Sequence, residues 1–205
     1  MNPRISKRMT KPDFQGEFTS RILKAAGDPS LISFAGGLPN PESFPVKEME
    51  AAVSRVLERD GVRALQYSNT EGYAPLRKFI SDRYATQGLE FSPDEIIITN
   101  GSQQALDMVA ACLVDPGDEI VIEKPSYLAA LQTFHLYDPR VLSVGLNEDG
   151  IDCDELEKLL AEHDPKFIYI IPNFQNPTGL TYTQAVRDRA AGIVRESGLV
   201  VVEDN

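Results

Sequence analysis

Chemically useful side chains follow four apolar segments of the sequence, each at the point where the segment ends. They belong to Gly101-Ser102-Gln103, Tyr127, Asn176 and Asp204. A helix that starts at a Gly-Ser step offers unpaired N–H groups to an anion such as phosphate. A tyrosine ring can stack on a flat heteroaromatic ligand, and an asparagine amide can bond a ligand oxygen. A carboxylate that ends an apolar strand either faces solvent or holds a cation, for example a protonated ring nitrogen.

Each of these features also has a purely structural interpretation. A Gly-Ser step often begins a plain capped helix, a tyrosine at a helix start often packs, and asparagines in a Pro- and Gly-rich loop often bond their own turn. The Gly-Ser step is neither a Walker A loop nor a dinucleotide fingerprint, so the usual nucleotide folds are not supported. As a set, the four features fit pyridoxal 5′-phosphate (PLP), which has a phosphate, a flat pyridine ring, a phenolic oxygen and a ring nitrogen.

The segments that carry these side chains alternate between short β-rich runs and amphipathic helical patterns. Such alternation predicts an α/β domain with a mainly parallel sheet flanked by helices. Ligands of such sheets bind beyond the carboxyl ends of the strands, which is where the four features lie. The predicted strands span 96–99, 119–123, 141–144, 167–171 and 199–203, and the predicted helices span 102–114, 126–136, 152–163 and 183–196.

The sequence upstream of the first predicted strand indicates helices and loops. A short helix is predicted at 17–26, and the Gly- and Pro-rich residues 32–45 exclude regular structure. Apolar residues at helical spacing predict a helix over 46–60, ended by Gly61, and another over 75–87. The second helix is expected to bury its apolar side chains, Leu76, Phe79 and Ile80.

The composition is that of an ordinary globular protein, with 42% hydrophobic and 25% charged residues among 205. The net charge of −11 would repel a polyphosphate backbone, which argues against a nucleic-acid partner. Six basic side chains against two acidic ones in residues 1–24 make a basic arm that either lies on a neighbouring subunit or is solvated.

The cysteines and the apolar runs indicate a cytoplasmic protein without a metal site. Cys112 and Cys153 are too few and too far apart in sequence for a zinc site or a disulfide framework. The longest apolar run, Met108–Val114, is far too short to span a membrane, and no secretory signal is visible. We therefore expect a cytoplasmic protein with no membrane partner and no bound metal.

Six stretches of the sequence are together typical of one enzyme family. The sequence resembles the class I and II aminotransferases of PLP fold type I, most closely the branch with the 2-aminoadipate and kynurenine aminotransferases. The stretches occur in family order and cover nearly the whole chain from about residue 20. They are FAGGLPNPESFP at 34–45, ALQYSNTEGYAPLR at 64–77, TNGSQQALDMV at 99–109, EKPSY at 123–127, NFQNPTG at 173–179 and VVVED at 200–204.

The resemblance implies a fold and an activity. The fold is the large domain of PLP fold type I, incomplete in this chain and preceded by an N-terminal arm. Residues 1–45 would form that arm and a substrate-side loop, and residues 46–205 the N-terminal part of the large PLP-binding domain. The activity is the transfer of an amino group between an amino acid and a 2-oxo acid, with PLP as cofactor.

The resemblance also implies which residues contact the pyridine ring of the cofactor. Tyr127 matches the residue that stacks on the ring, and Asn176 matches the amide that bonds the 3′-oxygen and lies near substrate. Asp204 matches the carboxylate that pairs with the pyridinium nitrogen. Asp204 and Tyr127 are therefore the expected catalytic residues of this chain.

Further matches concern the phosphate, the substrate and the partner subunit. Ser102 and Gln103 resemble ligands that hold the phosphate or orient the cofactor, and Gly101 permits the turn before them. Tyr67 resembles the tyrosine that crosses a homodimer interface to the neighbour's phosphate. Gly37 matches a position where the backbone lies near bound substrate.

One departure from the family concerns the Schiff-base lysine. In the family this lysine and the arginine that binds the substrate carboxylate lie downstream of the Asp204 motif, in a segment this chain does not contain. Lys124 is near a site motif, but the family does not use its position. We therefore expect a fragment of a longer protein that cannot transaminate alone.

The resemblance leaves other functions to be weighed. Other fold type I chemistries share the scaffold, although the acyl-condensing branch generally stacks a histidine where this chain has Tyr127. A sensor module of a transcription regulator would follow a DNA-binding segment, for which the sequence before the aminotransferase arm leaves no room. A degenerate PLP-binding or interaction protein is the remaining alternative. The intact cofactor contacts argue against it, but the missing lysine keeps it open.

Overall fold

The computed structural model describes residues 4–10, 16–17, 20–21, 24, 30–31 and 39–205. The chain divides into two compact units, residues 20–99 and a unit that combines residues 1–19 with 100–205. The helix predicted at 17–26 lies mostly outside the described residues. The predicted boundary between an arm and a large domain at residue 45 stays a prediction.

Within residues 39–99, all of which the structure describes, the unit of residues 20–99 contains two α-helices. Helix α1 spans Val46–Ala64, so it continues past Gly61, where it was predicted to end. The backbone instead leaves helical geometry for one residue at Asp60 (φ −133°, ψ 18°). None of the described helices is both long and apolar enough to cross a membrane.

Helix α2 spans Ala74–Ala85. It is joined to a 3-10 turn at Pro93–Glu95 by Arg77, whose buried guanidinium donates to the Pro93 carbonyl over 2.7 Å. Contrary to the prediction that this helix buries its apolar side chains, Phe79 remains 61% exposed.

The strand predicted at 96–99 is wrong. These residues have no strand assignment, although the Ile98 amide donates to the Glu71 carbonyl over 3.0 Å. A strand needs a continuous ladder with a neighbour, and residues 96–99 are not assigned to one.

The larger unit is built on a five-stranded sheet with the order β3-β2-β1-β4-β5. The strands β1, β2, β4 and β5 are parallel, and only the short β3 runs antiparallel to β2. The mainly parallel α/β architecture predicted from the sequence is therefore confirmed. The strands are β1 Glu119–Lys124, β2 Arg140–Asn147, β3 Gly150–Ile151, β4 Phe167–Ile170 and β5 Val200–Glu203.

Four helices of this unit follow the predicted pattern. Asp152 caps α5 through bonds to the amides of Asp154 and Glu155, and Thr183 caps α6 through the amide of Val186. Such caps satisfy N–H groups that a helix start otherwise leaves unpaired. The helices are α3 Ser102–Leu113, α4 Leu128–His135, α5 Cys153–Glu162 and α6 Gln184–Ser197.

The core consists of two apolar clusters that contain alternate residues of the sheet. Ile120 and Ile122 of β1 pack with residues of α3 and α4, whereas Val121 packs with residues of α5 and α6. Successive side chains of a strand point to opposite faces, so the two helix pairs cover opposite faces. Coverage of both faces explains why the sequence of β1 is apolar without alternation.

Candidate functional site

The sheet topology places three of the predicted site residues at one edge. Strands β1, β4 and β5 are adjacent and parallel, so their carboxyl ends lie side by side. Tyr127 follows β1, Asn176 follows β4 and Asp204 follows β5. The parallel pairing of neighbouring strands, which are far apart in sequence, therefore brings a ring, an amide and a carboxylate to one edge.

Helix α3 begins at Ser102, directly after a glycine in a conformation that other residues rarely adopt. Gly101 has φ 83° and ψ 169°, which lies in a region occupied essentially by glycine alone. Because Gly101 has no side chain, no side-chain cap satisfies the first N–H groups of this helix. Ser102 is exposed at the same point. This helix start can therefore accept an anion.

The side chain of Gln103 connects the first turn of α3 to helix α4. Its Nε2 donates to the Ala129 carbonyl over 3.2 Å and to Thr133 Oγ1. These bonds place the start of α3 beside the helix that Tyr127 precedes. In this conformation the side-chain nitrogen of Gln103 links α3 to α4 through hydrogen bonds.

Tyr127 lies immediately before α4 and is half-buried against the α3–α4 cluster. The preceding residue, Ser126, has a buried hydroxyl that finds no hydrogen-bond partner among the described residues. A buried hydroxyl without a partner is costly. An additional polar group near this loop would satisfy it.

Asn176 lies at the exposed tip of the loop after β4, and the residue before it is fixed to the core. Gln175 is 1% exposed. Its Nε2 donates to Glu123 Oε2 over 2.8 Å and to the Pro125 carbonyl over 2.9 Å. Its Oε1 accepts from the amide and the hydroxyl of Thr178, over 3.0 Å and 2.7 Å.

Glu123 is a buried carboxylate that the sequence analysis did not single out. It is 0% exposed and accepts from the Ile171 amide over 3.1 Å, from Gln175, and from the hydroxyl of Tyr182. Burial, followed by the bond to Glu123, raises the pKa of Tyr182, so this tyrosine keeps its proton and donates. An acidic residue at the end of an apolar strand was the signal that could have identified this network.

Asp204 is held by β4 in two ways. Its amide donates to the Ile170 carbonyl over 3.0 Å, and its Oδ2 accepts from the hydroxyl of Tyr169 over 2.7 Å. Tyr169 is 0% exposed, and burial, followed by the bond to Asp204, raises its pKa. Tyr169 therefore remains a proton donor to Asp204. From the sequence, Tyr169 was predicted only to belong to a strand.

The structure does not test the positions of two further predicted site residues. Tyr67 lies in the other unit, between α1 and α2, and is 99% exposed. Gly37 lies outside the described residues. The roles predicted for both stay predictions.

Comparison with known proteins establishes the family. Residues 34–205 match the family described as aminotransferase class I and II, which covers most of the chain. The chain belongs to the class I and II aminotransferases. The solved structures on which the chain superposes confirm the PLP-transferase fold implied by the motifs.

Relatives of this aminotransferase chain include proteins of Thermus thermophilus and Pyrococcus horikoshii. It is 47% identical to a 2-aminoadipate transaminase of Thermus thermophilus over 93% of this chain and 47% of the relative. It superposes on the α-aminoadipate aminotransferase of the same species, solved with N-(5′-phosphopyridoxyl)-L-leucine, with a TM-score of 0.82 and 45% identity over 98% of this chain and 50% of the other. A kynurenine aminotransferase of Pyrococcus horikoshii gives a TM-score of 0.89 at 35% identity, over 98% of this chain and 50% of the other. The chain spans about half the length of these relatives.

Proposed function

We propose that this chain forms the first half of a PLP-dependent aminotransferase that moves an amino group between an amino acid and a 2-oxo acid. The observation that carries the proposal is the single sheet edge at which Tyr127, Asn176 and Asp204 follow three adjacent parallel strands. In a chain of the aminotransferase family, such an edge is where a ligand is expected.

The residues at this edge fit the parts of PLP. The start of α3 after Gly101 offers uncapped N–H groups that suit the phosphate. Oδ2 of Asp204 is bonded to Tyr169, whereas its Oδ1 has no hydrogen bond from the described residues and can accept one from the ring nitrogen. Tyr127 supplies an aromatic face, and Asn176 an amide for the 3′-oxygen.

The chemistry divides between the cofactor and these residues. When bound, PLP accepts the electron pair that remains when a proton leaves the α-carbon of an amino acid. Asp204 would keep a proton on the ring nitrogen, because a carboxylate next to a cation favours its charged form. Tyr127 would restrain the tilt of the ring, and Asn176 would orient it through the 3′-oxygen.

The same proposal extends to the substrates, the oligomeric state and the cellular location of the enzyme. Similarity to a 2-aminoadipate transaminase supports an acidic or broad range of amino acids, with 2-oxo acids as acceptors. The 99% exposure of the Tyr67 side chain supports a homodimer in which this residue reaches the neighbouring phosphate. We place the enzyme in the cytoplasm.

Equilibrium dialysis of the 205-residue chain against PLP, with pyridoxal as a control ligand, tests the proposal. We expect binding of PLP that is stronger than binding of pyridoxal and that inorganic phosphate weakens. Equal retention of PLP and pyridoxal, or retention of neither, would contradict the proposed site.

Activity distinguishes the proposed enzyme from a sensor or other non-catalytic module. We expect the chain alone to form no 2-oxo acid from amino acids, since the family's Schiff-base lysine lies downstream of the Asp204 motif. We expect the longer protein that contains the chain to form it. A longer protein that binds PLP without any turnover would favour the non-catalytic module.

A further inference from the structure

Glu123 is a buried carboxylate that lies outside the expected contacts of the cofactor. It is 0% exposed, and its partners are an amide N–H, an amide nitrogen and a hydroxyl, from Ile171, Gln175 and Tyr182. A buried carboxylate is tolerated only when hydrogen bonds compensate for lost hydration. Neutral donors on three residues that follow β4 in the sequence provide this compensation for Glu123.

The orientation of the Gln175 amide follows from the same contacts. Its nitrogen faces two acceptors, Glu123 Oε2 at 2.8 Å and the Pro125 carbonyl at 2.9 Å. Its oxygen faces two donors on Thr178. Rotating the amide by half a turn would place an acceptor against acceptors and a donor against donors. The amide therefore has one favourable orientation, which requires an acceptor at position 123.

These contacts control the backbone on both sides of Asn176. Gln175 lies directly before Asn176, and Thr178 follows it by two residues, so the Gln175 side chain closes the turn around the asparagine. The loop is attached a second time by Arg187, which donates to the Pro172 carbonyl over 2.8 Å and to Asn173 Oδ1 over 2.7 Å. The Arg187 bonds hold the start of the loop, whereas the Glu123–Gln175 bond holds its tip.

We propose that Glu123 and Gln175 are positioning residues, which fix the turn that presents Asn176 to the cofactor. The inference rests on the proposed function for its link to PLP. The physical reason is that the exposed Asn176 amide makes no hydrogen bond with the part of the chain that the structure describes. The buried Glu123–Gln175 pair therefore determines where the Asn176 amide lies.

Glu123→Gln tests the pair with almost no change in volume. The new amide nitrogen opposes a donor, so the amides of Ile171 and Thr178 should exchange with deuterium about tenfold faster, as expected for a lost buried hydrogen-bond partner. The dissociation constant for PLP should rise by a similar factor, about tenfold. Hydrogen exchange by mass spectrometry over residues 171–180 and dialysis against PLP measure the two effects.

Glu119→Gln is the matched control. Glu119 lies at the opposite end of β1 and bonds Arg140 over 2.7 Å and His163 over 3.1 Å. This variant should leave both exchange at 171–180 and PLP binding at the wild-type value. Equal effects of the two variants would mean that Glu123 only stabilises the fold, and would overturn the proposal.

The double variant Glu123→Gln/Gln175→Glu separates positioning from simple packing. The exchanged pair keeps one hydrogen bond between the two side chains and the bonds from Thr178. It loses the bond to the Pro125 carbonyl, which then faces a carboxylate oxygen. We expect its loop exchange to be slower than in either single variant. Additive effects of the two substitutions would contradict a specific pair.

Three other outcomes have distinct meanings. Faster loop exchange in Glu123→Gln with an unchanged dissociation constant for PLP would refute the link to the cofactor. If the wild-type chain binds no PLP, the proposed function fails, and the exchange data alone decide whether Glu123 fixes the loop. If Glu123→Gln does not fold, Thr178→Val removes the hydroxyl donor to Gln175 and also the acceptor of the Leu180 amide. Exchange should then accelerate at the amide of position 178, which bonds Gln175 Oε1, and unchanged exchange at that amide would overturn the proposal.

Discussion

The hydroxyl of Tyr169 donates a hydrogen bond to Oδ2 of Asp204 over 2.7 Å. Tyr169 is fully buried in β4, and Asp204 follows the neighbouring strand β5. The bond from this buried hydroxyl therefore fixes the rotation of the Asp204 carboxylate at the edge of the candidate site. One carboxylate oxygen is bonded to Tyr169, and the other accepts no hydrogen bond from the described residues.

Tyr169→Phe removes this bond and keeps the ring in the core. We expect a loss of about 1 kcal/mol in the free energy of unfolding, because water can reach the half-buried Asp204. PLP binding should weaken several-fold, since the carboxylate is no longer held in one orientation. Urea unfolding and dialysis measure these effects, and unchanged PLP binding would show that the orientation of Asp204 does not depend on Tyr169.

The buried tyrosines should make the chain less stable at alkaline pH. Burial and bonds to carboxylates raise the pKa of Tyr169 and Tyr182 above the ordinary value of 10.0. Above that pH the unfolded chain loses both protons while the folded chain keeps them, so the free energy of unfolding falls as pH rises. The slope is about 1.4 kcal/mol per pH unit for each tyrosine. In urea titrations above pH 10, Tyr169→Phe and Tyr182→Phe should each show a shallower decline than wild type.

Asp204→Asn separates charge from hydrogen bonding at the sheet edge. An asparagine oxygen can still accept from Tyr169, so thermal stability should change little, whereas the missing charge should weaken PLP binding by about tenfold or more. The neighbouring Glu203→Gln is the control, because Glu203 is exposed and bonds only Asn205 among the described side chains. Equal PLP binding by both variants would remove Asp204 from the proposed site.

Gly101→Ala tests the backbone before α3. A Cβ at this position would meet no atom within 4 Å, but φ is +83°, so the cost of about 1–3 kcal/mol would come from the backbone alone. Phosphate and PLP binding should weaken together. Gly61→Ala, inside α1 and also without atoms within 4 Å of a Cβ, should stabilise by up to about 1 kcal/mol. Stabilisation by both substitutions would refute the requirement for glycine at position 101.

Local patterns were sufficient for most elements of the larger unit. The buried runs that became β1, β4 and β5, and the capping positions Asp152 and Thr183, depend on residues within a few positions of one another. The strand predicted at 96–99 failed because a strand also depends on a partner. An apolar run provides the propensity but does not provide the ladder.

At the candidate site, too, the sequence predicted what depends on neighbouring residues but not what depends on residues far apart in the chain. The motifs located the candidate contacts Ser102, Tyr127, Asn176 and Asp204, because each follows an apolar run. They did not identify the side chains behind these contacts. Glu123 meets Gln175 at a separation of 52 residues, and Tyr169 meets Asp204 at a separation of 35 residues.

Membership of the aminotransferase family and the alternation of strands and helices could be recognised from residue order, since both reside in short stretches of chain. The partners of the buried polar groups could not. They depend on β4 lying between β1 and β5, and that order is set when the chain packs. Only then do donors from one strand and its loop reach carboxylates that end the neighbouring strands.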